Sequence, residues 1–217
     1  IVWMNEPGDD IGDIDSDGFD DHIVGAPNAG PSAGGRAYVY SGRTGALMLP
    51  PLIPDASASE FGRFFVAAAG DVNRDGRKDL YVGDYPAGGG NGRAYTYSGL
   101  DGSILQNFPG PAGSGEGCSR GGQDYDLDGY ADSVVGRWTS SAGAAQAGQA
   151  VVYSGRTGAI LQTVTSLTAG ENFGFDAMGI RDVNGDGRAD LVVSAATGNR
   201  VYVIAGEIEP GLGYVLE

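Results

Sequence analysis

Four nine-residue segments of this chain carry oxygen-bearing side chains in one fixed pattern. They begin at residues 13, 71, 124 and 182, and each has Asp or Asn at positions 1, 3, 5 and 9 and Gly at position 6. The side chains at the four acidic positions are, segment by segment, Asp13, Asp15, Asp17 and Asp21; Asp71, Asn73, Asp75 and Asp79; Asp124, Asp126, Asp128 and Asp132; and Asp182, Asn184, Asp186 and Asp190. Four copies in register indicate a repeated cation site.

Oxygen ligands at alternate positions suit Ca²⁺, which takes about 6–8 oxygen ligands at about 2.3–2.6 Å. Gly at position 6 permits the sharp turn that such a loop needs. The backbone carbonyl of position 7 is a further predicted ligand, and the residues there are Phe19, Arg77, Tyr130 and Arg188. An EF-hand requires Glu at position 12, whereas position 12 is Val in every copy. The sequence therefore predicts about four Ca²⁺ sites on a scaffold other than the EF-hand.

The length and charge of the chain limit its partners. Its 217 residues are enough for one substantial domain with a hydrophobic core. The net charge is −15, and four bound Ca²⁺ ions would bring it to about −7. So acidic a chain offers no basic face to phosphates, and we expect no nucleic-acid partner. No apolar run approaches the length that spans a bilayer, and we expect no membrane insertion.

A second marker recurs in phase with the acidic segments. It reads Tyr-Ser-Gly at 40–42, 97–99 and 153–155 and Ile-Ala-Gly at 204–206, which is typical of hairpin turns. Between these markers the hydrophobic pattern predicts four short strands per unit, clearest at 64–69, 79–83, 93–98 and 103–107. The acidic segments are spaced by 58, 53 and 58 residues. Four antiparallel strands at such a period indicate β-propeller blades.

We therefore predict an all-β fold in which one domain, residues 1–217, contains four repeats of four antiparallel strands. Each repeat has its Ca²⁺ loop between strands 1 and 2, and the repeats cover approximately 1–57, 58–113, 114–168 and 169–217. Two irregularities are expected. Pro7 and the residues after it interrupt the first strand of unit one, and residues 213–217 supply the fourth strand of unit four.

The chain resembles the FG-GAP repeat family, which forms the propeller blades of integrin α-subunits and of many bacterial secreted proteins. Beside the acidic loops, the resemblance rests on Phe61-Gly62, Phe173-Gly174 and Gly25-Ala26-Pro27. The Phe-Gly pair is missing elsewhere, since Trp3-Met4 stands there in unit one and Gly117-Cys118 in unit three.

The resemblance implies calcium in the loop between strands 1 and 2 and a ligand face at the opposite end of the blades. That face would be built from residues 26–35, 84–92 and 137–147 with the connections between repeats. Tyr85, Arg137 and Trp138 are its predicted exposed anchors, because aromatic residues and Arg contribute most binding energy at interfaces.

The resemblance also raises the question of closure, because integrin-like propellers have seven blades and this chain has four repeats. Open blades leave strand edges that pair readily with another chain. We therefore predict self-association through blade edges, with residues 1–4 and 213–217 as the candidate edge strands.

Catalysis is not expected. Glu60 and Glu171 are candidates for the carboxylate pair of a glycosidase, but each lies 11 residues before the first Asp of its loop. This shared register favours a structural role in two repeats.

The leading hypothesis is a calcium-stabilised extracellular or cell-surface recognition and adhesion module that binds protein or glycan. Extracellular Ca²⁺ modules often bind at about 10⁻⁴–10⁻³ M, which favours this location. One alternative is a self-assembling structural subunit of an extracellular filament or surface layer. Another is an accessory domain of a polysaccharide-active enzyme.

Overall fold

The computed structural model describes residues 8–30, 33–54 and 58–206, and the backbone of residues 213–216. These residues form sixteen β-strands in four sheets, with one short helical turn, α1 (Ala87–Gly90). Strand pairing is antiparallel throughout except for one strand. The prediction of an all-β fold is confirmed.

The sheets follow one another along the chain. Sheet one contains β1 (Gly8–Gly12), β2 (Asp21–Ala26) and β3 (Arg36–Tyr40). Sheet two contains β4 (Val66–Gly70), β5 (Asp79–Asp84), β6 (Arg93–Tyr97) and β7 (Ile104–Pro109). Sheet three contains β8 (Glu116–Cys118), β9 (Gly122–Gln123), β10 (Asp132–Arg137), β11 (Gln149–Tyr153), β12 (Ile160–Ser166) and, out of chain order, β16 (Gly213–Leu216). Sheet four contains β13 (Phe173–Ile180), β14 (Asp190–Ala195) and β15 (Arg200–Ile204).

The prediction of four strands per unit is right for sheet two and wrong for sheet one as far as its residues are described. After β3 the chain makes only two isolated bridges to it, Tyr40 with Leu47 and Ala37 with Leu52. Pro50 and Pro51 lie between those bridges and have no amide N–H to donate, so a regular outer strand cannot form there.

The first strand of sheet one also differs from prediction. The residues after Pro7 were expected to interrupt it, but β1 runs through them and pairs with β2 from Gly8 opposite Val24 to Gly12 opposite Asp21. A register shift between Asp10 and Gly12 absorbs the irregularity, and Gly12 has a φ of +70°. Residues 1–4, predicted as an edge strand, lie outside the described residues.

Residues 213–216 do not complete unit four, so that prediction is wrong. β16 pairs in parallel with β12, from Gly213 opposite Thr163 to Leu216 opposite Ser166. The strand therefore extends the outer edge of sheet three, where β12 has no other neighbour among the described strands.

Each pair of consecutive sheets encloses a hydrophobic cluster. Ile23 and Val39 of sheet one pack with Phe61 and Tyr95 of the second unit. Tyr81 of sheet two packs in the cluster shared with sheet three, and later clusters repeat the scheme. Alternate residues of one strand thus face opposite neighbours, and the four sheets are held face to face in a row.

The closest approach between sheets needs glycine on both sides. A Cβ atom on Gly25, Gly83 or Gly136 would lie 1.8, 2.0 or 1.8 Å from the carbonyl oxygen of Gly62, Gly117 or Gly174 in the next unit. This places Glu116-Gly117 where units two and four have Phe61-Gly62 and Phe173-Gly174. The expectation that Gly117-Cys118 stands in that place was wrong by one residue.

Glu116 is therefore a buried carboxylate at a position that is aromatic in two other units. Arg137 Nε donates to its Oε2 at 2.9 Å, and the Tyr153 hydroxyl donates to its Oε1. Burial raises the pKa of Glu116 above its usual value, and the Arg137 guanidinium opposes that rise. The three side chains form one hydrogen-bonded group between sheets two and three.

We expect Glu116→Ala to lower the free energy of unfolding by about 3–5 kcal/mol, because it leaves the largely enclosed Arg137 guanidinium without its carboxylate partner. Urea titration in calcium buffer measures the loss. Glu60→Ala is the matched control, since it removes an exposed pair with Arg63 worth at most about 1 kcal/mol. The double variant Glu116→Phe with Arg137→Leu should recover most of the stability. Equal small losses in both single variants would contradict this account.

Candidate functional site

The four acidic segments form loops with one backbone shape. Loop one (13–21), loop two (71–79), loop three (124–132) and loop four (182–190) join β1 to β2, β4 to β5, β9 to β10 and β13 to β14. The Gly at position 6 has a φ between 87° and 91° in every loop, as its conformational freedom allows.

Position 4 has positive φ as well, at Ser16, Arg74, Leu127 and Gly185. Sequence reasoning missed this second left-handed residue. Its only sequence signal is Gly185, since the other three loops place a residue with a side chain there.

Hydrogen bonds within each loop fold the acidic side chains inward. In loop one, Asp13 accepts the amide N–H of Asp17 at 3.0 Å and that of Gly18 at 2.8 Å. Loops two and three repeat both bonds, and loop four keeps the bond from Gly187 to Asp182 at 2.7 Å. The amide of Gly18 lowers the pKa of Asp13, and the amide of Gly187 lowers that of Asp182.

Carboxylates consequently converge in two of the loops. Oxygen atoms of Asp13, Asp15 and Asp21 lie within 4.8 Å of one another, and so do those of Asp124, Asp126 and Asp128. Partial burial and then the Asp128 charge raise the pKa of Asp126. Carboxylates so close repel one another unless a cation lies between them. The donor sets of loops one and three therefore fit a hard divalent ion such as Ca²⁺.

Loops two and four relieve part of this repulsion with an amide. The Nδ2 atom of Asn73 donates to Asp75 at 2.9 Å, and that of Asn184 donates to Asp186 at 2.8 Å. The Oδ1 atom of each Asn accepts the position 5 amide N–H. These loops carry one carboxylate fewer and hold themselves together better without an ion.

The carboxylate at position 9 has a role that the sequence did not reveal. In every loop it is buried, one oxygen accepts the position 2 amide N–H, and the other accepts the N–H of the marker Gly. The four sets, each with its position 2 residue and its Gly, are Asp21 with Ile14 and Gly42, Asp79 with Val72 and Gly99, Asp132 with Tyr125 and Gly155, and Asp190 with Val183 and Gly206. These eight bonds are 2.8–3.1 Å long.

Position 9 thus ties the acidic loop to the end of the third strand. The marker Gly is required there, because a Cβ on Gly42 or Gly206 would lie 1.8 or 1.6 Å from the carbonyl oxygen of Asp20 or Ala189. Burial raises the pKa of both Asp79 and Asp132 to about 6. The phase relation between the acidic and Tyr-Ser-Gly markers was the available sequence signal.

Position 7 connects neighbouring loops through its side chain. Arg77 Nη1 of loop two donates to the Ile14 carbonyl of loop one at 3.0 Å, and Arg188 Nη1 of loop four reaches the Tyr125 carbonyl of loop three at 3.5 Å. Arg43 lies 5.7 Å from the ring centre of Phe19. The predicted role of the position 7 carbonyls as ligands stays a prediction.

A cluster of aromatic rings lies at the opposite end of the sheets. The rings of Phe64 and Tyr85 stack at 5.8 Å, and Trp138 contacts Tyr85 at 6.2 Å and Phe175 at 5.4 Å. Phe65 completes this aromatic cluster through contacts with Phe64 and Phe175 at 6.3 and 6.0 Å. Because successive strands are antiparallel, these residues at the starts of β4 and β13 and after β5 and β10 lie away from the acidic loops.

Two of the three predicted anchors lie in this cluster, and their role in binding a ligand stays a prediction. Tyr85 and Trp138 are in the cluster and half-buried, whereas Arg137 is wrong as an exposed anchor because its side chain is paired with buried Glu116. Phe64 was missed, although it is 43% exposed and Arg63 lies 5.1 Å above its ring. The sequence signal that could have identified Phe64 was its position two residues after Phe61-Gly62.

The carboxylate pair considered for catalysis is separated into two hydrogen-bond groups. Glu171 is buried and accepts bonds from Ser166 and Tyr202, while Glu60 is paired with Arg63 and accepts from Tyr85. Glu60 thus bonds within unit two, whereas Glu171 joins Ser166 of unit three to Tyr202 of unit four. Both carboxylates have structural partners, as the interpretation of their shared register expects.

Comparisons with known proteins place this arrangement among characterised ones. The model of the FG-GAP repeat matches residues 10–40 and 173–204. The chain is 29% identical to integrin alpha pat-2 of Caenorhabditis elegans over 92% of this chain and 19% of that protein. It is 35% identical to integrin alpha-IIb of Mus musculus over 65% of this chain and 16% of that protein. The chain therefore spans less than a fifth of the length of these relatives.

A solved structure shows the same fold at larger distance. The chain is similar to rhamnogalacturonan lyase YesW with a TM-score of 0.55 and 16% identity, over 96% of this chain and 42% of that one.

The repeated sheets with their acidic loops define an all-β repeat protein. The two family matches and the integrin relatives support an FG-GAP, integrin-like family for this chain. The resemblance stated from the sequence is confirmed, while a bacterial secreted origin stays a prediction.

The two roles of the loop carboxylates can be separated by substitution. Asp132→Asn should lower the free energy of unfolding by about 1–3 kcal/mol in EDTA as well as in calcium, because an amide cannot accept both N–H bonds. Asp126→Asn should be neutral or stabilising in EDTA, since it removes repulsion, and should weaken metal binding. Urea titrations in both buffers measure the effects. Two variants that respond alike in EDTA would contradict the assignment.

Proposed function

We propose that this chain is a calcium-stabilised extracellular recognition and adhesion module without catalytic activity. In this proposal the four sheets are propeller blades, with repeats at approximately 1–57, 58–113, 114–168 and 169–217. Each loop between the first two strands holds one Ca²⁺ through positions 1, 3, 5 and 9 and the position 7 carbonyl. A protein or glycan ligand binds at the opposite end.

The observation that carries the proposal is the placement of two unlike surfaces at opposite ends of the same strands. Carboxylates gather at one end, where they join strands within a unit. At the other end the aromatic cluster brings together side chains from three units, with Phe64 partly exposed. Aromatic side chains provide large contact areas at little entropic cost, which suits a ligand face.

Similarity to FG-GAP repeats and to integrin α-subunits supports the extracellular location and the adhesive role. The weak affinity expected for such Ca²⁺ loops agrees with it, because extracellular calcium would saturate them. Among the described residues, no helix has the length and apolarity to cross a membrane.

Removal of calcium should destabilise the chain. A single site at a hundred times its Kd contributes about 2.7 kcal/mol, so EDTA should lower the Tm by at least about 5 °C. Differential scanning calorimetry measures the shift, after elemental analysis has shown that the metal is gone. An unchanged Tm would contradict the structural role of calcium.

Loss of one site should leave the others intact. Asp186→Ala should reduce the calorimetric stoichiometry by about one Ca²⁺ per chain, because position 5 supplies a ligand of loop four only. Leu100→Ala, an exposed change in a turn of sheet two, is the control. An unaltered stoichiometry would contradict the assignment of loop four.

The ligand face can be tested on panels of immobilised polysaccharides and extracellular proteins. We expect Phe64→Ala to weaken binding of whichever probe the wild type retains by more than about ten-fold, as for an aromatic hot spot. Leu127→Ala is the control, because Leu127 is an even more exposed apolar residue but lies on an acidic loop. If Leu127→Ala weakens binding of the probe and Phe64→Ala does not, the ligand binds at the end with the acidic loops and the proposal is contradicted.

A further inference from the structure

The three interfaces between consecutive sheets are built in the same way. The third strand of each sheet turns two alternate side chains toward the next sheet, and position 2 of the acidic loop adds a third. All of these side chains are buried: Ala37, Val39 and Ile14 of unit one, Ala94, Thr96 and Val72 of unit two, and Ala150, Val152 and Tyr125 of unit three. Each sheet therefore covers the one before it.

Sheet four presents the same positions without a cover among the described residues. Val201 and Val203 of β15 are 68% and 63% exposed, and Val183 of loop four is 61% exposed. Strand pairing places Val203 opposite Val192, and Val192 opposite Met178. An apolar row thus crosses all three strands on this outer face of sheet four.

The backbone beside this face also has the conformation found at the three interfaces between sheets. Gly35, Gly92 and Gly148 precede the third strands, have positive φ, and bridge to Phe61, Glu116 and Phe173 of the next unit. The corresponding residue of unit four is Asn199, with a φ of 52°. A cavity of about 270 Å³ beside it is lined by Ser194, Asn199 and Val201 among others.

One position differs from the internal interfaces. Ser194 stands where the other sheets have Gly25, Gly83 and Gly136, and its hydroxyl accepts the amide N–H of Asp176 at 3.0 Å. The closest glycine contact is therefore not available on this face. A partner would have to rest on the valines and the cavity, at a slightly larger separation.

A complementary face exists on sheet one. Val24 pairs with Tyr38 on the side of sheet one that faces away from sheet two. The same combination covers the preceding sheet inside the molecule, where Val82 pairs with Tyr95 and Val193 pairs with Tyr202. Val24 and Tyr38 are partly exposed, and so is Tyr40, which stacks on Tyr38 at 6.4 Å.

We propose that the outer face of sheet four binds the outer face of sheet one in a second copy of this chain. The contact continues an interface that the molecule already contains three times, and the exposed valines of sheet four are unlike the polar faces that cap a repeat array. The contact joins sheet faces and not the strand edges predicted from the sequence. Of those predicted edge strands, residues 213–216 already pair with β12.

Such a contact is head to tail, because two different surfaces meet. It closes into a ring if the rotation allows and otherwise propagates. Two copies would supply eight sheets, which is within the range of about 4–8 blades for propellers. The proposal does not depend on which ligand the aromatic cluster binds.

Sedimentation velocity in calcium buffer, from about 1 to about 100 μM chain, tests the proposal. The wild type should form dimers or larger species. Val201→Asp with Val203→Asp should weaken association by more than about ten-fold, because burial of an unpaired charge is costly. These positions are so exposed that the fold itself should survive, which circular dichroism checks. Leu100→Asp, at an equally exposed apolar residue of sheet two, should leave association unchanged.

Mixing variants tests the head-to-tail geometry. Tyr38→Asp with Tyr40→Asp disables the face of sheet one, and this variant should be monomeric when alone. Mixed with the valine variant, it should form one-to-one dimers and nothing larger, since each partner keeps one working face. A monomeric wild type, association that survives the valine substitutions, or a mixture without heterodimers would each overturn the proposal.

Discussion

The structure depends on the buried carboxylate at position 9 of each acidic loop. A carboxylate without partners in the interior would be costly, and here both oxygens accept backbone N–H groups from two segments that are distant in sequence. The bonds hold the acidic loop against the end of the third strand. The outer loop carboxylates can then be brought together at a fixed place, because one member of the set is anchored from inside. In the proposed function, metal binding would be linked to folding through the same residues.

The packing between sheets follows from equally local constraints. Glycines at the end of the second strand and after the aromatic residue of the next unit let two backbones approach more closely than any side chain would permit. Larger side chains around them fill the remaining space in three clusters. Glu116 is an exception to this pattern of packing between sheets. A charge occupies an aromatic position, and the neighbouring Arg137 and Tyr153 supply the hydrogen bonds that make its burial acceptable.

The two ends of the strands carry different kinds of side chain. The acidic loops join strands at one end of each unit, and the connections at the opposite end bring side chains of different units together. The aromatic cluster is built there from Phe64, Tyr85, Trp138 and Phe175, which come from three units and meet only because the sheets stand in a row. The outer face of sheet four is a third kind of surface, because its valines are exposed.

The sequence by itself determined the resemblance to FG-GAP repeats, the all-β class, the positions of the acidic loops and the strands of the second unit. Those features depend on spacing and on alternation within a few residues, and such patterns are visible in one chain. Tertiary structure alone decided that Asp21, Asp79, Asp132 and Asp190 are anchors, since their partner glycines lie 16–23 residues away. It also decided that Glu116 replaces an aromatic residue, that Arg137 pairs with this buried carboxylate and that residues 213–216 join sheet three. Each of these contacts depends on which sheets are neighbours, and a pattern within a few residues does not encode that.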